Sequence, residues 1–255
     1  MIKTLVSIEV DLASNMAIRY ACHLGNIIPM ELYPVYVKYP EFPITGAGWA
    51  RRTWEREMIT KGREEIQEML EAEMDSCPVL KEPRVVYGDR DTELLKILEE
   101  ESFDLYIEGA PYPFNPTTIT QRLHRKLYER INIPFIWLRV IKKVNQILVL
   151  ANHEKAVKTI VPVISRLMSG SRIPIHLGIL NKNVAEAVAT AKDELINAAH
   201  DVAIKEIIEA APQEVTKDYG MVAASMERTI KKDHPFLQWI AQVKSPIAVM
   251  LANTT

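Results

Sequence analysis

Short apolar runs alternate along this 255-residue chain with longer stretches whose apolar residues recur every three or four positions. That rhythm predicts buried strands alternating with amphipathic helices. The first run is 5–8. Residues 14–24 follow with Ala17, Tyr20, Ala21 and Leu24 at helical spacing, Asp11 or Ser14 placed to cap the helix and Gly25 to end it. A second strand spans 32–37 despite Pro34, which cannot donate to a ladder. A loop with Pro and Gly over 39–48 leads into a long helix over 49–74, with Trp54, Met58, Ile66, Met69 and Leu70 inward. Then come a strand at 84–87, a helix at 91–101, a strand at 105–107, a helix at 117–130 and a strand at 133–140.

The rest of the chain repeats this order. Strands are predicted at 146–150, 173–180, 202–208, 221–224 and 247–251. Helices are predicted at 155–168, 184–199 and 236–243, with a short one at 213–218. Each half closes on a helix, a proline (Pro134 or Pro246) and an apolar strand, which points to internal duplication. The division falls at 1–141 and 142–255, with Lys142 and Lys143 marking a short junction rather than a flexible linker. Strands regularly alternating with helices imply parallel sheets covered on both faces. The expected fold is α/β: two tandem open five-stranded parallel sheets with helices on both faces. The apolar closing strands need cover, and Pro134, Ile136, Leu138, Ile247 and Val249 are the residues expected to meet within the chain and give a pseudo-twofold monomer.

Composition narrows the function by exclusion. Lys plus Arg is 31 and Asp plus Glu is 33, so there is no electrostatic footprint for nucleic acid. The halves differ: 17 basic and 22 acidic residues over 1–140, 14 and 11 over 141–255. Only 9 glycines are present, against any glycine-rich phosphate loop. Glu9 and Asp11 interrupt an apolar leader, and no apolar run approaches the roughly 20 residues that span a bilayer. The two cysteines, Cys22 and Cys77, lie far apart. They are read as unpaired, Cys22 as a small buried hydrophobe, which fits a reducing, cytoplasmic setting. The six histidines form no i, i+4 pair, so no metal site is expected. Asn152-His153-Glu154 after a strand reads as a helix cap.

The first half resembles the universal stress protein family. The residues carrying the resemblance are Leu5-Val6-Ser7-Ile8-Glu9, the helix 13–21, the Gly88-Asp89 turn, Asp104-Leu105-Tyr106-Ile107-Glu108-Gly109 and Ile133-Pro134-Phe135-Ile136-Trp137-Leu138. In the second half, Gly220-Met221-Val222-Ala223-Ala224-Ser225 and Ser245-Pro246-Ile247-Ala248-Val249-Met250 are similar to the fourth and closing strands, with Ser225 in place of a glycine. The resemblance implies two units of the wider adenine nucleotide alpha hydrolase-like fold.

It also implies where ATP would sit, at the carboxyl ends of the strands, held by a G-x2-G-x9-G-[ST] loop. Only Gly109 matches that loop here. Tyr112 replaces its second glycine, and Pro111, Pro113 and Pro116 remove N–H donors. Residues 225–234 hold no glycine. Glu9 stands for the family's Asp, and Asp11 adds a charge that repels phosphate. Neither half is therefore expected to bind ATP in the family manner, and no cofactor or catalytic residue is expected. The alternative is a nucleotide site framed by Glu9, Asp11, Val37, Gly88, Asp89 and Gly109, with Arg122 as a cation. The leading expectation is a non-enzymatic protein acting through self-association or a protein partner in a cytoplasmic stress response, with Trp49 and Trp54 among Arg51, Arg52 and Arg56 as an interaction patch.

Overall fold

The computed structural model describes residues 1–39, 48–74, 77 and 79–252. Residues 40–47 of the loop expected before the long helix lie outside them. In chain order the elements are β1 (Ile2–Ile8), α1 (Leu12–Gly25), β2 (Met30–Lys38), α2 (Trp49–Met74), β3 (Arg84–Tyr87), α3 (Arg90–Glu100), β4 (Leu105–Gly109), α4 (Pro116–Leu123), α5 (Lys126–Arg130) and β5 (Phe135–Leu138). They continue with β6 (Ile147–Ala151), α6 (Glu154–Leu167), β7 (Ile175–Ile179), α7 (Ala185–Asn197), β8 (Val202–Glu206), α8 (Pro212–Thr216), β9 (Met221–Glu227), α9 (Pro235–Ala241) and β10 (Ile247–Ala252).

The chain divides into two compact units. The first is Met1–Gly109 with Arg125–Ile131; the second is Ala110–His124 with the chain from Asn132 onward. Five strands thus come from each half of the sequence, but the closing strand of the first half and the helix α4 group with the second unit.

In the first unit four parallel strands run in the order β3-β2-β1-β4. Pro34 sits in β2 without breaking it. Leu32 N–H donates to Val79 O, so Pro34, two residues on, faces the same side, and β3 starts pairing only at Val35. The missing donor falls where no ladder exists. The helix predicted over 117–130 is two helices, because Arg125 adopts an extended conformation. Its guanidinium instead forks onto Asp91, at 3.0 Å from Nε and 2.6 Å from Nη2.

Cys22 and Cys77 form a disulfide, with Cα atoms 5.3 Å apart. This corrects the reading of both as unpaired. Separation along the chain says nothing about separation in space once α1 packs on α2.

In the second unit the strands run β8-β7-β6-β9-β10, parallel, with β5 added antiparallel to β10. The order of β8-β7-β6-β9 repeats that of β3-β2-β1-β4 and supports duplication. The closing strands pair as Ile247 with Trp137 and Val249 with Phe135. All of these side chains are buried. Lys142 pins the junction, its Nζ donating to Thr216 O (3.0 Å), Lys217 O (2.7 Å) and Ser245 Oγ (3.1 Å). The backbone beside it passes so close to Gly220 that a Cβ there would run into Lys143 O. Gly220→Ala is therefore expected to destabilise the protein by about 2 kcal/mol through overpacking, measured by denaturant unfolding. A loss within error of zero would show that this junction yields freely.

Candidate functional site

In open α/β sheets, ligands gather beyond the carboxyl ends of the strands. In the first unit that place is built by β1, β4 and the turn before α3, and the chain fills it with its own side chains. Alternation along β4 sends Tyr106 and Glu108 to one face. Glu108 is 1% exposed. Arg90, the first residue of α3, reaches back over the strand ends. Its Nη2 lies 2.5 Å from Glu108 Oε2, 3.0 Å from Ser7 Oγ and 3.1 Å from Tyr106 Oη. Its Nε is 2.7 Å from Glu9 Oε1. Tyr106 donates to Glu108 Oε2 at 2.7 Å, and Tyr128 donates to Glu108 Oε1.

The electrostatics follow from this packing. Burial works against the Arg90 charge, but Tyr106, Glu108 and Glu9 around it push its pKa well above the ordinary value. Burial raises the Tyr106 hydroxyl pKa, so that group stays protonated at neutral pH. The arrangement is a charge-assisted network in which Nη2 makes the hydrogen bonds, while Nε and Nη1 meet Glu9 and Asp91 as ion contacts only.

The candidate residues of this unit have structural work. Glu9 pairs with Arg90. Asp11 caps α1, accepting from Ser14 N at 2.7 Å, and Asp89 caps α3, accepting from Thr92 N at 3.0 Å. That hydrogen bonding lowers the Asp89 pKa. Val37 is buried in β2. Gly88 takes φ +150°, and a Cβ on Gly109 would sit 2.6 Å from Ala13 Cβ, so Gly109 lets α1 approach β4. Arg122 lies in α4, in the second unit. Trp54 packs edge-on against Tyr87 with centroids 4.9 Å apart, Arg51 pairs with Glu55 at 2.9 Å, and Trp49 is 76% exposed. Arg90 and Glu108 escaped the sequence reading. The available signal was an acid inside an apolar strand, two residues after a tyrosine.

The second unit differs at the corresponding place. Beyond β6 and β9 lies a cleft of about 520 Å³. Its floor includes Ser225, 1% exposed, whose Oγ has no partner, and Asn152, whose buried Oδ1 has none. His153 caps α6, its Nδ1 accepting from Ala156 N at 3.0 Å. His234 caps α9 through Nδ1 and Phe236 N at 3.2 Å. Both rings thus accept through Nδ1, and burial lowers the His153 pKa. Among the described residues, no group of three His, Cys, Asp or Glu is placed to hold a metal. None of the described helices is long and apolar enough to cross a membrane.

No family model and no curated protein matches the chain. Solved structures do. A universal stress protein from Archaeoglobus fulgidus superposes with a TM-score of 0.62 at 11% identity, over 98% of this chain and 96% of that one. A functionally unknown protein from Pseudomonas aeruginosa superposes at 0.58 with 12% identity, over 98% and 92%. Strand order and superposition together establish that the chain has the universal stress protein fold.

Proposed function

We propose that this protein acts by binding and association rather than by catalysis, and that it does not hold ATP in the family manner. The observation that carries this reading is the Arg90 network. Glu9 and Glu108 take up the Arg90 cation that a phosphate would need, and the buried Tyr106 and Tyr128 donate their hydroxyls to Glu108. Pro111, Pro113 and Pro116 remove donors from the segment after β4. The exposed Trp49, with Arg51, Arg52 and Arg56 on the same poorly buried end of α2, supports a protein partner or a second copy of the chain. We keep 1–141 and 142–255 as the duplicated halves. A cytoplasmic stress role rests on the fold resemblance alone.

A second reading, favoured by the unpartnered Ser225 and Asn152, is that the cleft of the second unit holds a small molecule. MgATP at millimolar concentration is expected to leave the melting temperature unchanged. A site of micromolar Kd would add about 4 kcal/mol under those conditions, and a rise of that size would overturn the ATP part of the proposal.

A further inference from the structure

We infer that two copies of this chain associate through β8, by antiparallel pairing of the two strands. The inference rests on the association half of the proposed function and names its surface and its partner.

β8 is the outer strand of the second unit's sheet, and among the described residues no strand lies beyond it. Its register on β7 fixes which backbone groups are free. Ile175 N–H donates to Asp201 O, and Ile207 N–H to Ile179 O. In this parallel ladder the amides and carbonyls of Ala203 and Lys205 therefore turn inward to β7. Those of Val202, Ile204 and Glu206 point away from the sheet. Such a row is a template for another strand unless it is blunted. β8 runs five residues in unbroken register without a proline. Residues 203–206 are exposed, Ile204 at 40%. The first unit's outer strand, β3, is the contrast. It has four residues, follows Pro83, and packs its Tyr87 against Trp54.

The strand's own sequence selects the occupant. In an antiparallel ladder outward groups pair with outward groups. A two-fold axis through Ala203 sets Val202 of one copy opposite Ile204 of the other, and each such pair exchanges N–H and C=O. The same axis sets Lys205 opposite Asp201 of the other copy, and both are exposed. Apolar thus meets apolar on one face of the strand and base meets acid on the other. Axes through Lys205 or Glu206 would set like charges against each other. Within one chain Lys205 Nζ lies 5.3 Å from the Tyr219 ring centroid, an exposed contact that an ion pair can replace. A five-residue edge buries less than the roughly 1,200–2,000 Å² of a stable interface, so the dimer is weak and concentration-dependent.

The test is sedimentation of the full chain from micromolar to millimolar concentration, with hydrogen exchange measured at both ends. The chain is expected to dimerise across that range. In the dimer the amides of Val202 and Ile204 should exchange more slowly and that of Glu206 should not. Lys205→Asp and Asp201→Lys are each expected to weaken the dimer about tenfold, because each sets like charges opposite one another twice per dimer. The double variant should restore it. Both positions are exposed, and thermal melts check that the variants keep the fold. A slowed Glu206 amide, or a double variant as weak as the single ones, overturns the register. A chain that stays monomeric at millimolar concentration overturns the pairing and leaves the association reading to a different protein. A dimer untouched by these variants overturns it too; if Trp49→Ala then removes that dimer, association stands on α2 and only its assignment to β8 falls.

Discussion

Replacing Arg90 with methionine is expected to lower the unfolding free energy by about 3–5 kcal/mol, the cost of leaving a buried charge without its partner. The methionine keeps most of the bulk but removes the cation facing Glu108, which is 1% exposed and retains the Tyr106 and Tyr128 hydroxyls. Ser7 loses a donor at the same time. The second substitution tells whether charge or packing is responsible. In an Arg90→Met background, Glu108→Gln removes the stranded charge and should return about half of the loss. Arg90→Lys keeps the charge but not the planar fork that reaches Glu108, Ser7, Tyr106 and Glu9 together, and should fall between. Guanidinium unfolding at pH 7 reads all three. A loss below about 1 kcal/mol for Arg90→Met would show that water enters the network and that the site in the first unit is not closed.

That network marks the boundary of what the sequence made legible. Strands and helices follow from local periodicity, so α2 and β3 fall on the residues expected, and most other boundaries differ by one to three positions. The closing strands were legible as well, because Pro134 and Pro246 introduce apolar runs that need cover. Long-range polar partners have no such signature. Arg90 and Glu108 are 18 residues apart and meet only because the turn before α3 lies over the end of β4. The break at Arg125 has the same origin. No proline or glycine interrupts 117–130, and the helical pattern continues through it. The fork onto Asp91, itself buried, outweighs one more helical turn. In the second unit Ser225 was read as a departure from a glycine pattern, which is a statement about phosphate. Its burial, with an Oγ that has no hydrogen-bond partner, is visible only in the packing.

Removing the Cys22–Cys77 bond is expected to cost about 4 kcal/mol, the loop-closure value for a crosslink of this span. The two cysteines are 55 residues apart, and between them lie β2 and α2. Reduced, the unfolded chain regains the freedom of that whole segment, while the folded state changes little because Cys22 and Cys77 are both buried. Cys22→Ala with Cys77→Ala and the reduced wild type should therefore unfold at the same, lower denaturant concentration. The two single variants should match them, since either one abolishes the crosslink. The bond also bears on where the protein works. Two unpaired thiols suited a reducing setting, whereas a closed bond suits an oxidising one, so the cysteines no longer support a cytoplasmic location. Alkylation of protein denatured without reductant separates the cases. Unlabelled cysteines that become labelled after reduction establish the bond. Two labelled cysteines without reduction would remove it, and with it the stability difference between the wild type and the alanine pair.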